Sequence, residues 1–359
     1  GESVYERNAD GLRVPGSLTK VFTGAAALQA LGPDRRFVTP VHRIGRVEDG
    51  RVPALALVAS GDFSFGLRGR RDGSLAVSLA DHNNANALRN VSSVSGQPLR
   101  ALRRLARDVR RSGVREVGEV AVDDRLFTQF SGWPDGTISP IWVNENLIDI
   151  TVRPTARGRA AEVAHRPRTP AYRVVSRVRT GTETDLRLRS PRAGVIRIEG
   201  TIAGDGGSTV RTWTVDEPSE FARAAFIREL RRAGVVVEAD AVAPNPTDRL
   251  PRSRTYPRGT RLARWVSPAP FSEYVNVVFK ISYNRGADLM ACLVGVAGGT
   301  RSCENGLARV TDRVIGLGVR GDRFFNFDGA GSLESNGITP RALNDLVGAA
   351  RAQAWGGAF

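Results

Sequence analysis

Pro15-Gly16-Ser17-Leu18-Thr19-Lys20-Val21-Phe22-Thr23-Gly24-Ala25-Ala26-Ala27-Leu28-Gln29-Ala30-Leu31-Gly32 is the stretch whose reading decides the rest of the chain. Pro15-Gly16 marks a turn, Ser17 suits an N-cap or first-turn position, a small and apolar run follows, and Gly32 is a natural stop. The run carries almost no polar stripe, which predicts a helix buried on all sides. Ser17 and Lys20 lie three apart, so on a helix they share a face and touch. A serine hydroxyl is a poor nucleophile until a neighbouring base takes its proton. A lysine amine serves as that base once its solution pKa near 10.4 falls by about three units, which costs about 4 kcal/mol supplied by burial and nearby positive charge.

Of 52 lysines and arginines only Lys20 and Lys280 are lysines, so arginine fills almost every place where a surface cation would do. An isolated Ser-x-x-Lys is more often a capping serine beside a snorkelling lysine, and a second motif has to decide. Ser282-Tyr283-Asn284 supplies it: it is the only Ser-x-Asn in the chain, set within Phe279-Lys280-Ile281-Ser282-Tyr283-Asn284-Arg285-Gly286-Ala287-Asp288-Leu289-Met290. Penicillin-binding proteins and class A β-lactamases pair Ser-x-x-Lys with such a motif and with Lys-Thr-Gly. Two of the three are present, in order.

With both motifs in place, the chain resembles the three-domain D-alanyl-D-alanine carboxypeptidase/endopeptidases, the class C low-molecular-mass penicillin-binding proteins. The family's Pro-Ala-Ser-x-x-Lys, alanine-rich helix and Leu-Gly-Pro-x-x-Arg-Phe are matched by Pro15-Gly16-Ser17 through Leu31-Gly32-Pro33-Asp34-Arg35-Arg36-Phe37. Ser60-Gly61-Asp62, Val122-Asp123-Asp124, Asn144-Glu145-Asn146 and Asp328-Gly329-Ala330-Gly331 resemble further signposts. The resemblance implies an α+β fold, with helices around an antiparallel sheet in the catalytic part. It also implies a serine DD-peptidase that cleaves terminal D-Ala-D-Ala and cross-link bonds of peptidoglycan through an acyl-enzyme and is acylated by β-lactams. Ser17 would then be the nucleophile and Lys20 the base. Ser282 would relay a proton to the leaving amine, and Asn284 would hold the substrate backbone and the base. Tyr283 and Lys280 are read as substrate-binding candidates; Lys280 is also either a charge that lowers the Lys20 pKa or a plain helix-surface lysine.

No Lys-Thr-Gly follows Asn284. In the family that strand binds the substrate carboxylate and lines the oxyanion hole, where losing one donor costs about 3 to 4 kcal/mol. Arg179-Thr180-Gly181-Thr182 resembles it but precedes Ser282 by a hundred residues, and it is read as a β-turn edge. Two expectations follow: a chain truncated relative to the family at both ends, or a degenerate homologue that binds peptidoglycan or an anionic cell-wall polymer without cutting it.

A chain of 359 residues with 41% hydrophobic content predicts two or three domains. The division read from the pattern changes is 1–40 for the first catalytic part, carrying Ser-x-x-Lys, then 41–150 for an inserted α/β domain and 151–214 for a small β domain. The α/β domain returns at 215–255, and 256–359 is the second catalytic part, carrying Ser-x-Asn. Helical spacing of Leu99, Leu102, Leu105 and Val109 ahead of a strand at Val117–Asp123, and of Phe221–Arg232 ahead of Val235–Val237, marks two helix-to-strand units. No apolar run approaches ~18 residues, so no membrane span is expected.

The net charge of +15 attracts polyanions, yet the arginines are scattered without a nucleic-acid module. Anionic cell-envelope polymers, or simply a solvated basic surface, are the readings kept, with no specific nucleic acid. Cys292 and Cys303 are the only cysteines. They read either as a disulfide, worth about 3 kcal/mol and indicating an oxidising compartment, or as two buried thiols. Only His42, His82 and His165 are present, so no metal site and no cofactor are expected; His82 is given a structural role. An exported protein of the periplasm, cell wall or extracellular space is the location implied.

Overall fold

The computed structural model describes residues 5–88 and 91–359, and it shows the expected α+β class. A 3-10 turn at Gly16–Leu18 leads into α1, Thr19–Leu31, and the chain leaves this helix at Gly32 with φ +81°. Phe22, Ala25, Ala26, Ala27 and Leu28 are fully buried, so the helix threads through the core rather than lying on it. Next come β1 (Val38–Ile44), β2 (Arg51–Val58), α2 (Arg100–Arg111) and β3 (Glu116–Asp123). A β-rich stretch follows as β4 (Leu147–Arg153), β5 (Glu162–Arg166), β6 (Arg173–Gly181), β7 (Asp185–Arg192), β8 (Val195–Ala203) and β9 (Thr209–Thr214). The chain then runs through α3 (Pro218–Arg232), β10 (Val236–Val237), β11 (Arg261–Val266), α4 (Phe271–Lys280), α5 (Asn284–Ala297) and α6 (Cys303–Gly316). It finishes with β12 (Phe324–Phe325), β13 (Gly337–Ile338) and α7 (Pro340–Arg351).

The largest sheet has the order β10-β3-β2-β1-β11. Its inner pair β2/β3 and the short β3/β10 pairing are parallel, whereas β1 runs antiparallel to both neighbours. The parallel pairs follow from the two helix-to-strand units read in the sequence, α2–β3 and α3–β10, since parallel neighbours need a crossover. β11 comes from residues after 256 yet closes this sheet against β1, so a division by sheets falls nearer Ser267 than 256. Two three-stranded sheets, β5-β4-β9 and β6-β8-β7, complete the middle of the chain.

Two main cores result. One gathers Phe22 to Leu28 with Phe271 to Val294 and the apolar faces of α6 and α7, joined by Phe127, Trp133 and Trp142 from the middle of the chain. The other fills the space between α2, α3 and the sheets of the middle segment. Cys292 on α5 and Cys303, the first residue of α6, are joined as a disulfide, the first of the two readings above. Arg179 to Gly181 ends β6, so that tripeptide is strand rather than a turn edge. Gly204 to Gly207, a hairpin or loop signal in the sequence, is a loop that links β8 to β9 in a different sheet. Ser3-Val4-Tyr5-Glu6, which as a sequence suggests a short extended piece, falls partly outside the described residues.

Candidate active site

Three hydroxyl and amine groups converge from two distant parts of the sequence. Lys20 Nζ lies 2.9 Å from Ser17 Oγ, and Ser17 Oγ lies 2.6 Å from Ser282 Oγ. The first pair is set by local structure, since Ser17 sits in the 3-10 turn and Lys20 in the first turn of α1, on the same face. The second pair is set by the break between α4 and α5. Ile281 caps the C-terminal end of α4, Ser282 adopts φ +53°, and Asn284 opens α5. A serine in the left-handed region costs on the order of 1–2 kcal/mol and is held there only by its surroundings.

Lys20 is 2% exposed, and its other partner is the Ala330 carbonyl, 2.8 Å away. Both partners are neutral. Burial therefore pulls the Lys20 pKa down to about 8, against the opposing pull of Asp288, Asp135 and Asp328. A shift of that size disfavours the charged amine by about 3 kcal/mol. Asp288 supplies little counter-charge, because burial and the neighbouring Asp328 and Asp135 push its pKa well above the ordinary carboxylate range. The neutral amine can donate to Ala330 while accepting the Ser17 proton.

The Asp328-Gly329-Ala330-Gly331 loop places that carbonyl. Asp328 accepts from the backbone N–H groups of Ala330, Gly331 and Leu333, and Asp288 accepts from Gly329 N at 2.9 Å. Thr23 Oγ1 donates to the Gly329 carbonyl at 2.8 Å and ties the loop to α1. Gly331 has φ +84°, and a Cβ there would fall 1.8 Å from the Gly16 carbonyl oxygen, so only glycine lets the loop close against the turn that carries Ser17.

Asn284 Nδ2 donates to Asp135 Oδ1 at 2.8 Å and lies 3.3 Å from Ser332 Oγ, which itself donates to Asp135. Tyr283 lines the cleft beside Ser282, but its ring is buried against Phe63 and its hydroxyl has no partner among the described residues. Lys280 ends α4 with an exposed side chain. It is not the charge that lowers Lys20: burial does that, and the charges acting on Lys20 are carboxylates that oppose it. The structure thus brings Ser17, Lys20, Ser282 and Asn284 together, sets Tyr283 in the wall and leaves Lys280 outside.

Sequence reasoning missed Asp135, Ser332 and the Ala330 carbonyl. Trp133-Pro134-Asp135-Gly136 reads only as a turn, and a backbone carbonyl leaves no mark in a sequence. The signpost at 328–331 was the one available signal. No cluster of metal-ligating side chains occurs among the described residues, and no helix there is long and apolar enough to cross a membrane.

Comparison with known proteins follows this geometry. The family model described as D-Ala-D-Ala carboxypeptidase 3 (S13) matches residues 1–359. A D-alanyl-D-alanine carboxypeptidase from Actinomadura sp. (strain R39) is 27% identical over 385 residues, covering 99% of this chain; the chain spans 63% of that relative's length. Among solved structures, penicillin binding protein 4 from Haemophilus influenzae superposes with a TM-score of 0.69 at 17% identity, covering 98% of this chain and 73% of that one. The same protein complexed with a β-lactam gives 0.68 at 17% identity, with 97% and 71% covered. The likeness establishes a penicillin-binding-type fold.

Proposed function

The chain belongs to the D-Ala-D-Ala carboxypeptidase 3 (S13) family, and from that premise we propose that it is a serine DD-peptidase acting on peptidoglycan stem peptides. The single observation that carries the reading is the contact of Ser17 Oγ with both Lys20 Nζ and Ser282 Oγ, at 2.9 and 2.6 Å. Ser17 attacks the carbonyl carbon of the bond between the two terminal D-alanines while neutral Lys20 takes its proton. The tetrahedral intermediate collapses as Ser282 passes its proton to the leaving amine and takes in its place the proton held by Lys20, which leaves Lys20 neutral. Water then attacks the resulting ester with Lys20 again as base, and that proton returns to Ser17 Oγ as the acid is released. General-base help of this kind is worth roughly 100- to 10,000-fold. Asn284, held by Asp135, offers its amide to the substrate backbone. Cross-link hydrolysis and acylation by β-lactams use the same steps.

Catalytic residues would belong to a part made of 1–40 and the segment after β11, with 41–150, 151–214 and 215–255 as inserts. An oxidising, exported location fits the Cys292–Cys303 disulfide. Anionic cell-envelope polymers remain the partner that the +15 charge favours. The test is D-alanine release from an N-acylated peptide ending in D-Ala-D-Ala. Release that falls at least 100-fold in Ser17→Ala is expected. A folded chain that releases none would instead support a homologue that binds without cutting.

A further inference from the structure

Far in sequence from the serines, α2 reads Arg-Ala-Leu-Arg-Arg-Leu-Ala-Arg-Asp-Val-Arg-Arg. Its inner face, Leu102, Leu105, Ala106 and Val109, is fully buried in the core that α2 shares with α3. Its outer face carries Arg100, Arg104, Arg107 and Arg111, whose spacing of four, three and four residues keeps them in one stripe about 16 Å long. All four are exposed, Arg104 and Arg111 with 57% and 71% of the side chain open to solvent. Beside the stripe, Arg228 near the end of α3 sits among further guanidiniums. Burial lowers its pKa, and Arg232, Arg103 and Arg168 lower it further against the pull of Glu229.

Helix stability does not account for this pattern. Cations in the first turn oppose the helix dipole, and no acidic residue stands there to offset them. Arg100 with Arg104, and Arg107 with Arg111, are like charges at i, i+4, which destabilise a helix. Asp108 bridges Arg104 and Arg111, and the buried Glu229 takes Arg103 and Arg228. Arg107, Arg168 and Arg232 have no carboxylate partner among the described residues, and Arg100 reaches only the Gly69 carbonyl, at 3.4 Å. Other surface arginines are paired: Arg51 with Glu116 and Glu238, Arg320 with Asp322, Arg341 with Asp10. The α2 face therefore repels itself unless an anion from outside lies on it.

The rest of the face narrows the anion. Neither α2 nor α3 exposes a large hydrophobic side chain, so nothing there enters a bilayer and nothing stacks on a base. What remains is a row of planar forks that suit phosphate oxygens bidentately. We propose that the arginine stripe of α2 docks a linear, phosphodiester-linked polymer of the cell envelope, laid along the helix with a phosphate at each guanidinium. The docked polymer holds the chain on the wall whose peptides the serines cut, so the assignment rests on the exported, peptidoglycan-directed reading above and adds the face and the chemistry of the partner.

The experiment cosediments the chain with isolated cell walls that carry a phosphodiester polymer, before and after hydrofluoric acid strips that polymer. Fluorescence anisotropy with long-chain inorganic polyphosphate gives the affinity. A variant combining Arg100→Gln, Arg104→Gln, Arg107→Gln and Arg111→Gln is expected to bind polyphosphate and unstripped walls on the order of tenfold or more weakly at low salt. A control combining Arg187→Gln, Arg189→Gln, Arg309→Gln and Arg320→Gln removes the same charge from exposed, acid-paired positions and should weaken binding by no more than about threefold. Glutamine is close to arginine in helix propensity, so both variants keep the thermal midpoint. Penicillin acylation of Ser17, unchanged in both, reports separately on the serine reading. Equal binding to stripped and unstripped walls, no binding to polyphosphate, or equal losses in the two variants overturns the proposal. So does tighter binding of a thymidine oligomer of equal phosphate count, the mark of a nucleic-acid surface. Tighter binding to vesicles of phosphatidylglycerol and phosphatidylcholine in equal parts, the mark of a membrane surface, overturns it as well.

Discussion

Lys20 and His82 are both buried bases, and the protein moves them in opposite directions. Lys20 touches only a hydroxyl and a carbonyl, and burial brings its pKa down to about 8. His82 Nδ1 lies 2.8 Å from Asp149 and its Nε2 lies 3.1 Å from Glu145, and these carboxylates overcome burial and raise it to about 9. Around His82 every charge has a partner: Glu145 also takes Arg68 and the Asn83 amide, and Asp149 takes Arg166 at 2.9 Å. That network holds Asn144, Glu145 and Asn146 at φ of 52°, 53° and 52°, a left-handed turn costing roughly 1–2 kcal/mol per residue. The difference separates two kinds of buried base: His82 is held between carboxylates in direct contact, whereas Lys20 has carboxylates near it but only neutral groups in contact.

Removing the amine at position 20 should have the largest effect. Lys20→Ala is expected to slow acylation of Ser17 by roughly 100- to 10,000-fold, while the thermal midpoint stays unchanged or rises, because a disfavoured buried cation is gone. A large loss of stability in this variant would make Lys20 the structural residue of the pair. Glu145→Gln should do the reverse. Breaking a buried ionic network by removing one partner costs about 3–5 kcal/mol, which urea unfolding would register, with the acylation rate of the still-folded fraction changed little.

The two bases also predict opposite slopes with pH. The Lys20 pKa is lower in the folded chain than its unfolded value of 10.5, so the penalty for charging it is full below about 8 and is relieved between 8 and 10.5. Acylation should therefore rise through a midpoint near 8. The His82 pKa is higher in the folded chain than its unfolded 6.5, so its contribution to stability is complete below 6.5 and is lost as pH rises toward 9. Unfolding free energies across pH 6 to 9 should fall for wild type and flatten in His82→Gln. The smallest effect belongs to Lys280→Ala: with an exposed side chain outside the site, it should leave stability within about 0.5 kcal/mol and the pH midpoint unmoved.

The sequence carried α1 and the Ser17–Lys20 contact because both are local: apolar run, turn and three-residue spacing fix them before any tertiary contact forms. Two helix-to-strand units likewise announced an α/β part. The placement of β11 was not legible, since the pairing of Arg261–Val266 with β1 joins segments more than 200 residues apart. The same limit hid Asp135 and Ser332, which reach Asn284 from loops 149 and 48 residues away. Nor could the sequence choose between the readings of Lys280, since nearness in sequence to Ser282 does not fix nearness to Lys20; the end of α4 directs that side chain to solvent, which fits the plain helix-surface lysine.

Intact and peptide mass spectrometry after incubation with a penicillin tests the central claim most directly, that Ser17 is activated by a buried amine with no charged group in contact. The account predicts a covalent adduct on Ser17 that forms faster as pH rises through 8 and is lost in Lys20→Ala. An adduct on another residue, or one that forms on Ser17 equally well in Lys20→Ala, would contradict it.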